Sequence, residues 1–210
     1  AAQWFGGEIN GKRAGSFGDI ATTSFFPAKP LGCYGDGGAV FTNNDDYAEL
    51  IKSFRVHGKG IDKYDNVRVG MNSRLDTIQA AILLEKLSIF PTELKNKNNT
   101  SILYGKLLSN NFNTPKVPNS YTSSWSQYTL KSNNRNKFIE ILLESNIPSM
   151  IYYATNMHQQ IAFQTLAVNE NTFPIAESIS NTVFSLPMHA YLSKEDVLFI
   201  CDTLIKNNKF

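Results

Sequence analysis

The feature that most constrains the fold is one stretch, residues 22–42, in which an apolar run, a lysine and a glycine-rich turn follow one another. Residues 19–25 are rich in β-branched and aromatic side chains, a composition that favours a buried strand. Residues 37–42 have the same character and predict a second strand that returns from the turn. Lys29 is the one lysine between these two predicted strands.

Lys29 lacks the charged neighbours of an ordinary surface lysine, since Asp36 is the one acidic residue between the two predicted strands. A lysine that is partly withdrawn from water has a lowered pKa, and its neutral amine is a nucleophile toward carbonyl carbons. Lys29 is therefore a candidate Schiff-base lysine. The glycines that follow would let the backbone pass close to a planar cofactor. The alternative is an ordinary loop lysine whose ammonium group lies in water.

Composition argues against several classes of function. The formal net charge is +2 and the Lys and Arg residues are dispersed, so we expect no nucleic-acid partner. Cys33 and Cys201 are far apart and lack the CxxC spacing of zinc sites. We therefore expect no disulfide framework and no metal, and a reducing cytoplasm is the default compartment. No apolar run reaches membrane-spanning length, and we expect neither a membrane anchor nor a signal peptide.

Four motifs carry a resemblance to one known family. They are SFFPAKPLG (residues 24–32), GDGGA (35–39), RVHG (55–58) and RVGMNSRLDTIQAA (68–81). Together they resemble the cofactor-lysine region of the DegT/DnrJ/EryC1/StrS family of pyridoxal-phosphate (PLP) sugar aminotransferases. The resemblance is strong over most of residues 1–90 and loose beyond them. It implies an α/β fold, the C-terminal part of a fold-type I PLP-dependent transferase, and a homodimer with shared active sites.

The same resemblance implies roles for five residues. Lys29 would hold PLP as a Schiff base, Gln3 would hydrogen-bond the cofactor's 3′-oxygen, and Ser24 would donate to its phosphate. Asn72 would reach the PLP phosphate of the neighbouring subunit. Arg74 would point into the substrate pocket, where a guanidinium suits a carboxylate or a diphosphate. Each also has an ordinary alternative, such as a surface glutamine, a strand-end serine or a solvated charge at the start of a helix.

Two tyrosines in the C-terminal part are further candidates for substrate binding. Close relatives in the family carry His-Tyr-Pro where this chain has Tyr152, Tyr153 and Ala154. The relatives use that segment to contact the nucleotide-sugar bound in the partner subunit, so the resemblance implies substrate contacts for Tyr152 and Tyr153. Tyrosines at a strand end are otherwise usually packing residues. The replacement of His by Tyr leaves the identity of the sugar open.

The function implied by the resemblance is transfer of an amino group from glutamate to a keto nucleotide-sugar. Residues 25–34 and 68–84 look most like the branch of the family that aminates UDP-2-acetamido-2-deoxy-3-oxo-D-glucuronate for lipopolysaccharide O-antigen. Arg74 would suit the carboxylate of such a uronate. An aminotransferase of the same family that acts on a dTDP- or UDP-keto-hexose is the alternative. A catalytically silent fragment is the non-enzyme alternative.

The resemblance also implies a domain organisation. Residues 1–90 are expected to be the C-terminal part of the large PLP-binding domain, residues 91–124 a bridging helix and loop, and residues 125–210 a small α+β domain. In the family, an Asp that pairs with the pyridine nitrogen of PLP directly precedes the Ala-Ala-Gln that stands at residues 1–3 here. The family's N-terminal half also supplies a Gly-Thr phosphate cradle and a stacking aromatic ring. We therefore expect this chain to be the C-terminal portion of an aminotransferase.

Local patterns predict further helices and strands. Residues 43–45 offer N-caps for a helix that ends at residue 54. Asn72 or Ser73 is expected to cap the next helix, whose apolar positions at helical spacing include Leu75, Ile78, Ala81, Ile82 and Leu87. A separate polar helix is predicted over residues 91–108. The C-terminal part is predicted to hold strands at residues 126–131 and 149–153, helices at residues 135–145 and 174–181, and a last helix opened by Ser193 and Asp196 as a capping box.

Overall fold

The structure is a computed structural model that describes residues 1–62, 64–166 and 173–208 of the 210-residue chain. The chain divides into two compact units. The first unit comprises Ala1–Leu94 and Val117–Ser126, and the second comprises Lys95–Lys116 and Gln127–Phe210. The domain roles expected from the sequence stay predictions, because compactness by itself assigns no function to a unit.

Two small antiparallel sheets form the strand framework of the first unit. The first sheet consists of β1 (Glu8–Ile9), β2 (Lys12–Arg13) and, added after a long interval in sequence, β5 (Tyr121–Thr122). The second sheet pairs β3 (Ala21–Ser24) with β4 (Gly38–Phe41). Residues 25–37, which we call the lysine turn, connect β3 to β4. The predicted pair of strands around Lys29 is therefore confirmed.

The helix after β4 begins where its capping chemistry predicts. Helix α1 (Asp45–Phe54) has Asn44 as its N-cap, and the Asn44 side chain accepts a hydrogen bond of 3.0 Å from the Tyr47 N–H. Asp45 and Asp46 occupy the first turn and Lys52 the last, which complements the helix dipole.

The next helix departs from the prediction at both its start and its middle. Helix α2 (Thr77–Leu108) is one continuous helix that contains Pro91, so the prediction of two separate helices was wrong. Its first turn is closed by a hydrogen bond of 2.9 Å from the Ala80 N–H to the Asp76 carbonyl oxygen, so the prediction that Asn72 or Ser73 caps it was also wrong. Proline removes one helical N–H, and side-chain packing on both sides of Pro91 outweighs that loss.

The predicted apolar positions match the buried face near the start of α2 only in part, since Leu75 packs against the core of the first unit. In the first unit, Leu83 and Phe90 lie seven residues apart on one face and are buried together with Phe25, Leu31 and Cys33. Ile78 and Leu87, which the apolar pattern placed in the core, are 74% and 47% exposed. Burial was therefore decided by the position of the lysine turn against the helix rather than by the hydrophobic pattern alone.

The second unit pairs one two-stranded sheet with helices. Strand β6 (Tyr128–Lys131) is antiparallel to β7 (Val183–Leu186). Besides the last part of α2, which begins at Lys95 in this unit, the helices are α3 (Arg135–Glu144), α4 (Pro174–Ser180) and α5 (Lys194–Lys206). Short 3₁₀ turns lie at Met157–Gln159 and Ile161–Leu166. Helices α3, α4 and α5 were all predicted. The strand predicted at residues 149–153 was wrong, since an isolated bridge from Met150 to Ser185 is the β pairing that this segment shows.

Aromatic side chains fill the core of the second unit. The rings of Phe138 and Phe184 stack with centroids 5.9 Å apart, and Tyr104 packs against Tyr128 at 4.8 Å. Burial raises the pKa of the Cys201 thiol to about 12, so this thiol is held in its neutral form. Among the described helices, none combines the length and the apolar character that a membrane crossing needs.

Candidate functional site

The lysine turn is closed by its own backbone hydrogen bonds. The Phe25 N–H donates to the Gly37 carbonyl oxygen, and the Cys33 N–H donates to the Phe25 carbonyl oxygen, each at 2.7 Å. Between these anchor points, the Lys29 N–H donates to the Phe26 carbonyl oxygen at 2.8 Å and forms a tight local turn. The Lys29 side chain is half-buried at this position. The turn therefore holds its lysine on a backbone frame that is fixed at both ends.

Gly32 is required by the close folding of this turn. A Cβ atom at this position would lie 2.6 Å from the Pro27 carbonyl oxygen and 2.7 Å from that of Phe26. Gly38 is similar, because a Cβ atom there would lie 2.7 Å from the Thr23 carbonyl oxygen. We expected the glycines to make room for a cofactor, but the close approaches at Gly32 and Gly38 are to the chain itself.

Cys33 ties the interior of the turn together. Its thiol is fully buried, and its Sγ atom lies 3.0 Å from the carbonyl oxygens of both Phe25 and Gly35. A thiol has one hydrogen and donates to one of the two carbonyls at a time. Cys33 therefore serves as a packing and hydrogen-bonding residue inside the lysine turn.

Ser24 lies at the end of β3, opposite Gly38 on β4. Its Oγ accepts a hydrogen bond of 3.2 Å from the Phe26 N–H. Because Oγ acts as the acceptor in this bond, the hydroxyl hydrogen is left to donate elsewhere. The side chain is half-buried, five residues before Lys29, at the entrance to the lysine turn.

Gln3 is held by its backbone and not by its side chain. Its carbonyl oxygen accepts hydrogen bonds from the hydroxyls of Ser124 at 2.9 Å and Ser126 at 2.6 Å. Gln3 as a whole is exposed. Its main chain is thus fixed by residues more than 120 positions later in the sequence.

Asn72 and Arg74 lie in extended chain before helix α2. Asn72 forms an antiparallel bridge with Val56, and the Ser73 N–H donates to the Arg55 carbonyl oxygen at 2.9 Å. The Arg74 Nε–H donates to the Asn72 Oδ1 at 3.1 Å, so the two predicted site residues are in direct contact. Both are exposed, and the guanidinium of Arg74 has four further N–H groups besides the one in this bond. Asn72 and Arg74 therefore do not lie at the start of the helix, where they were expected, because the helix begins at Thr77.

An open groove of about 1420 Å³ in the first unit is lined by Asn72 and Arg74 together with residues of β3, β4 and α1. Its charged lining is mainly basic, with Arg13, Lys52, Arg55 and Arg74 against Asp36. Within the described part of the chain, Lys29, Ser24 and Gln3 do not line this groove. The structure therefore brings Asn72 and Arg74 together, and holds Lys29 and Ser24 separately at the lysine turn.

Tyr152 and Tyr153 belong to the second unit and are placed in irregular chain rather than at a strand end. Their rings meet edge to face with centroids 5.5 Å apart. Tyr153 is 66% exposed and Tyr152 is 36% exposed. Neither is a packing residue of the core, and the prediction that they contact substrate stays a prediction.

Gln79 lies inside the motif at residues 68–81, but nothing in the sequence around it predicts a role for this residue. The Tyr34 N–H donates to the Gln79 Oε1 at 2.9 Å, across 45 residues of sequence. This bond joins the first turn of α2 to the lysine turn. No local pattern signals such a contact, because it depends on how α2 packs in the first unit.

Comparisons with known proteins agree on one family. The model of the DegT/DnrJ/EryC1/StrS aminotransferase family matches residues 1–205. Over 205 residues the chain is 40% identical to the UDP-2-acetamido-2-deoxy-3-oxo-D-glucuronate aminotransferase of Pseudomonas aeruginosa, covering 97% of this chain and 56% of that protein. Over 197 residues it is 38% identical to the dTDP-3-amino-3,6-dideoxy-alpha-D-galactopyranose transaminase of Aneurinibacillus thermoaerophilus, covering 93% and 53%.

A solved structure extends this similarity to the fold. The crystal structure of a DegT DnrJ EryC1 StrS aminotransferase from Brucella abortus matches with a TM-score of 0.96 at 43% identity, over 100% of this chain and 56% of that one. The predicted fold, part of a fold-type I PLP-dependent transferase, is confirmed. The chain spans about half the length of the relatives that it matches.

Proposed function

Because this chain belongs to the DegT/DnrJ/EryC1/StrS aminotransferase family, whose members depend on PLP, we propose that it carries the cofactor lysine of a nucleotide-sugar aminotransferase. The observation that carries the proposal is Lys29. It is a half-buried lysine on a turn that is closed at both ends by backbone hydrogen bonds. A fixed turn of this kind keeps an amine in one place, as covalent attachment of a cofactor requires.

The residues near Lys29 fit an aldehyde that carries a phosphate. Lys29 supplies a primary amine, and Ser24 supplies a hydroxyl whose hydrogen remains available to a phosphate oxygen. We propose that Lys29 binds PLP covalently, that Ser24 donates to its phosphate, and that the exposed Gln3 side chain hydrogen-bonds its 3′-oxygen. When bound, PLP would supply the electron sink that makes a proton removable from the carbon bearing the amino group.

The chemical work of the chain itself would fall to the Lys29 amine. In its neutral form the Nζ atom accepts a proton from the amine-bearing carbon of the donor and later returns one, acting as general base and then as general acid. The backbone frame of the lysine turn would keep Nζ within reach for both transfers. The buried cluster under the turn would help to exclude water from that side.

We propose glutamate as the amino donor and UDP-2-acetamido-2-deoxy-3-oxo-D-glucuronate as the acceptor, in the synthesis of O-antigen or a related glycan. The relative from Pseudomonas aeruginosa bears the name of that reaction. Arg74, exposed and with guanidinium N–H groups to spare beyond its bond to Asn72, suits the uronate carboxylate. The alternative is a dTDP- or UDP-keto-hexose, which the similarity to the Aneurinibacillus transaminase favours.

We further propose a homodimer with shared active sites. Asn72 is exposed and would reach the PLP phosphate of the partner subunit, and Tyr152 and Tyr153 would contact the nucleotide-sugar bound there. The free, buried thiols of Cys33 and Cys201 suit a reducing compartment, and we propose the cytoplasm.

Trapping with borohydride tests the role of Lys29. The chain is incubated with PLP, reduced with borohydride and analysed by peptide mass spectrometry. We expect stoichiometric modification at Lys29, complete loss in Lys29→Ala, and retention in Lys52→Ala, a matched control that removes an exposed, ion-paired lysine of the same unit. Equal modification of Lys29→Ala would refute the assignment. Modification that appears only when the uncovered part of a relative is joined to the chain would favour the silent-fragment alternative.

A chimera that supplies the uncovered part of the Pseudomonas aeruginosa relative tests the substrate. We expect amination of the 3-keto uronate, and a loss of about 10- to 100-fold in kcat/KM for Arg74→Leu because one charge-assisted contact disappears. Amination of a neutral keto-hexose should be unaffected by that substitution. If Arg74→Leu weakens both reactions equally, Arg74 does not recognise the carboxylate, and the keto-hexose alternative gains.

A further inference from the structure

Residues 34–36 lie near the end of the lysine turn, and one side chain from outside the turn holds their backbone. Gln79 Oε1 accepts the Tyr34 N–H at 2.9 Å. A Cβ atom added to Gly35 would lie 3.1 Å from Gln79 Nε2, so the side-chain amide of Gln79 also lies close to Gly35. Gln79 is half-buried, as a side chain clamped against backbone should be.

The other hydrogen bonds that the structure shows for the lysine turn come from within it or from the end of β3. They are the backbone bonds of Phe25, Cys33 and Lys29, the Cys33 thiol, and the Ser24 hydroxyl. A second residue of α2 also faces this segment, since Lys86 Nζ lies 5.5 Å from the centroid of the Tyr34 ring. That contact engages an exposed ring, and the packing on Leu83 and Phe90 engages side chains of the turn, whereas the Gln79 contact engages the main chain directly.

Gln79 is also close in sequence to the other predicted site segment. It lies in the first turn of α2, five residues after Arg74 and seven after Asn72. A side chain at the start of this helix therefore connects the lysine turn to the chain that presents Asn72 and Arg74. A hydrogen bond at such a junction fixes the position of the turn relative to the helix start.

We propose that Gln79 is a positioning residue for Lys29, which acts by accepting the Tyr34 N–H and so fixing the lysine turn against helix α2. The inference rests on the proposed role of Lys29. It assigns Gln79 no contact with cofactor or substrate.

Three substitutions separate the hydrogen bond from the shape of the side chain. Gln79→Met keeps the length and removes the acceptor, Gln79→Glu keeps an acceptor oxygen, and Glu85→Met is a control at an exposed position of the same helix. Hydrogen exchange at the Tyr34 amide and the rate of PLP–borohydride modification at Lys29 are measured for each. A neutral hydrogen bond corresponds to about a fivefold effect. We expect Gln79→Met to speed exchange and slow modification by about that factor, with Gln79→Glu and Glu85→Met close to wild type.

Gly35→Ala tests the same contact from the side of the turn. The added methyl group would crowd Gln79 Nε2, so the effect of Gly35→Ala should shrink when Gln79 is already Met, because both changes act through one contact. Faster exchange with unchanged Lys29 modification in Gln79→Met would overturn the positioning role. Additive effects of the two substitutions would overturn it as well. Absence of Lys29 modification in the wild type would instead refute the proposed function, and the inference would fall with it.

Discussion

The two units of this protein differ in the interactions that stabilise each of them internally. The large side chains that are fully buried in the described structure all lie in the second unit, among them Tyr104, Phe138 and Phe184. The first unit contributes Cys33 and Ser124 to the fully buried set. It also carries most of the predicted site residues and leaves apolar side chains such as Ile78 and Leu84 more than two-thirds exposed.

This difference shows that the candidate site depends on backbone closure more than on core packing. The lysine turn is fixed by hydrogen bonds and by the close approach at Gly32, over a small cluster of buried residues. The second unit is fixed by aromatic packing. Substitutions should therefore act locally on Lys29 in the first unit and globally on stability in the second.

The largest expected effect tests the packing of the second unit. Phe184, a residue of strand β7, is fully buried and its ring stacks on that of Phe138. Phe184→Ala should therefore lower the free energy of unfolding by about 3–5 kcal/mol. Leu84→Ala, at a position that is 70% exposed in the first unit, should change it by less than about 0.5 kcal/mol. Urea titration measures both. A comparable loss in the two variants would show that the first unit depends on packing as much as the second.

A smaller loss of stability is expected for a substitution at Gly32, which tests whether closure of the lysine turn matters within the first unit. Gly32→Ala would place a Cβ atom 2.6 Å from a backbone carbonyl oxygen, and the required shift should cost up to about 3 kcal/mol. Gly18→Ala is the matched control, since its Cβ atom would meet its nearest neighbour at 3.7 Å. We expect PLP–borohydride modification at Lys29 to be slower in Gly32→Ala and unchanged in Gly18→Ala. Unchanged modification would mean that closure of the turn does not position Lys29.

The parts of the fold that the sequence predicted are those that local chemistry decides. The Asn44 cap of α1, the capping box of Ser193 and Asp196, and the two strands around Lys29 all appear as expected. In the two caps neighbouring residues supply both partners of the interaction, and the two strands follow from the composition of each segment, so no knowledge of the tertiary structure is needed.

The failures concern interactions between residues that are distant in sequence. Pro91 was taken as a boundary, but packing on both of its sides keeps α2 continuous. Ile78 was expected among the apolar positions of the helix by its spacing, yet the lysine turn packs on Leu83 and Phe90 and leaves Ile78 exposed. Within the candidate site, the position of Lys29 followed from local pattern, whereas the bond from Tyr34 to Gln79 spans 45 residues and left no local signal.

The smallest expected effect on stability concerns the N-caps of two helices, one in each unit, which should respond differently to pH. Ser193 Oγ accepts the Asp196 N–H at 3.0 Å and donates to the Asp196 carboxylate at 2.6 Å, and the hydrogen bonds from Ser193 hold the pKa of Asp196 below its usual value. A carboxylate whose folded pKa is lowered stabilises the fold above its unfolded pKa of about 3.9, and the contribution disappears as the pH falls through the folded pKa. Ser193→Ala should cost about 1 kcal/mol at pH 7 and less below pH of about 4, because only the bond to the carboxylate titrates.

Asn44→Ala, which removes the cap of α1 in the first unit, is the matched comparison. Its amide oxygen does not titrate, so the loss of about 1 kcal/mol should be the same at both pH values. Hydrogen exchange in α1 and α5 follows the two helices separately in each variant. A loss that is independent of pH for Ser193→Ala would show that the Asp196 carboxylate adds nothing to the cap, and that both helices are capped by the same uncharged mechanism.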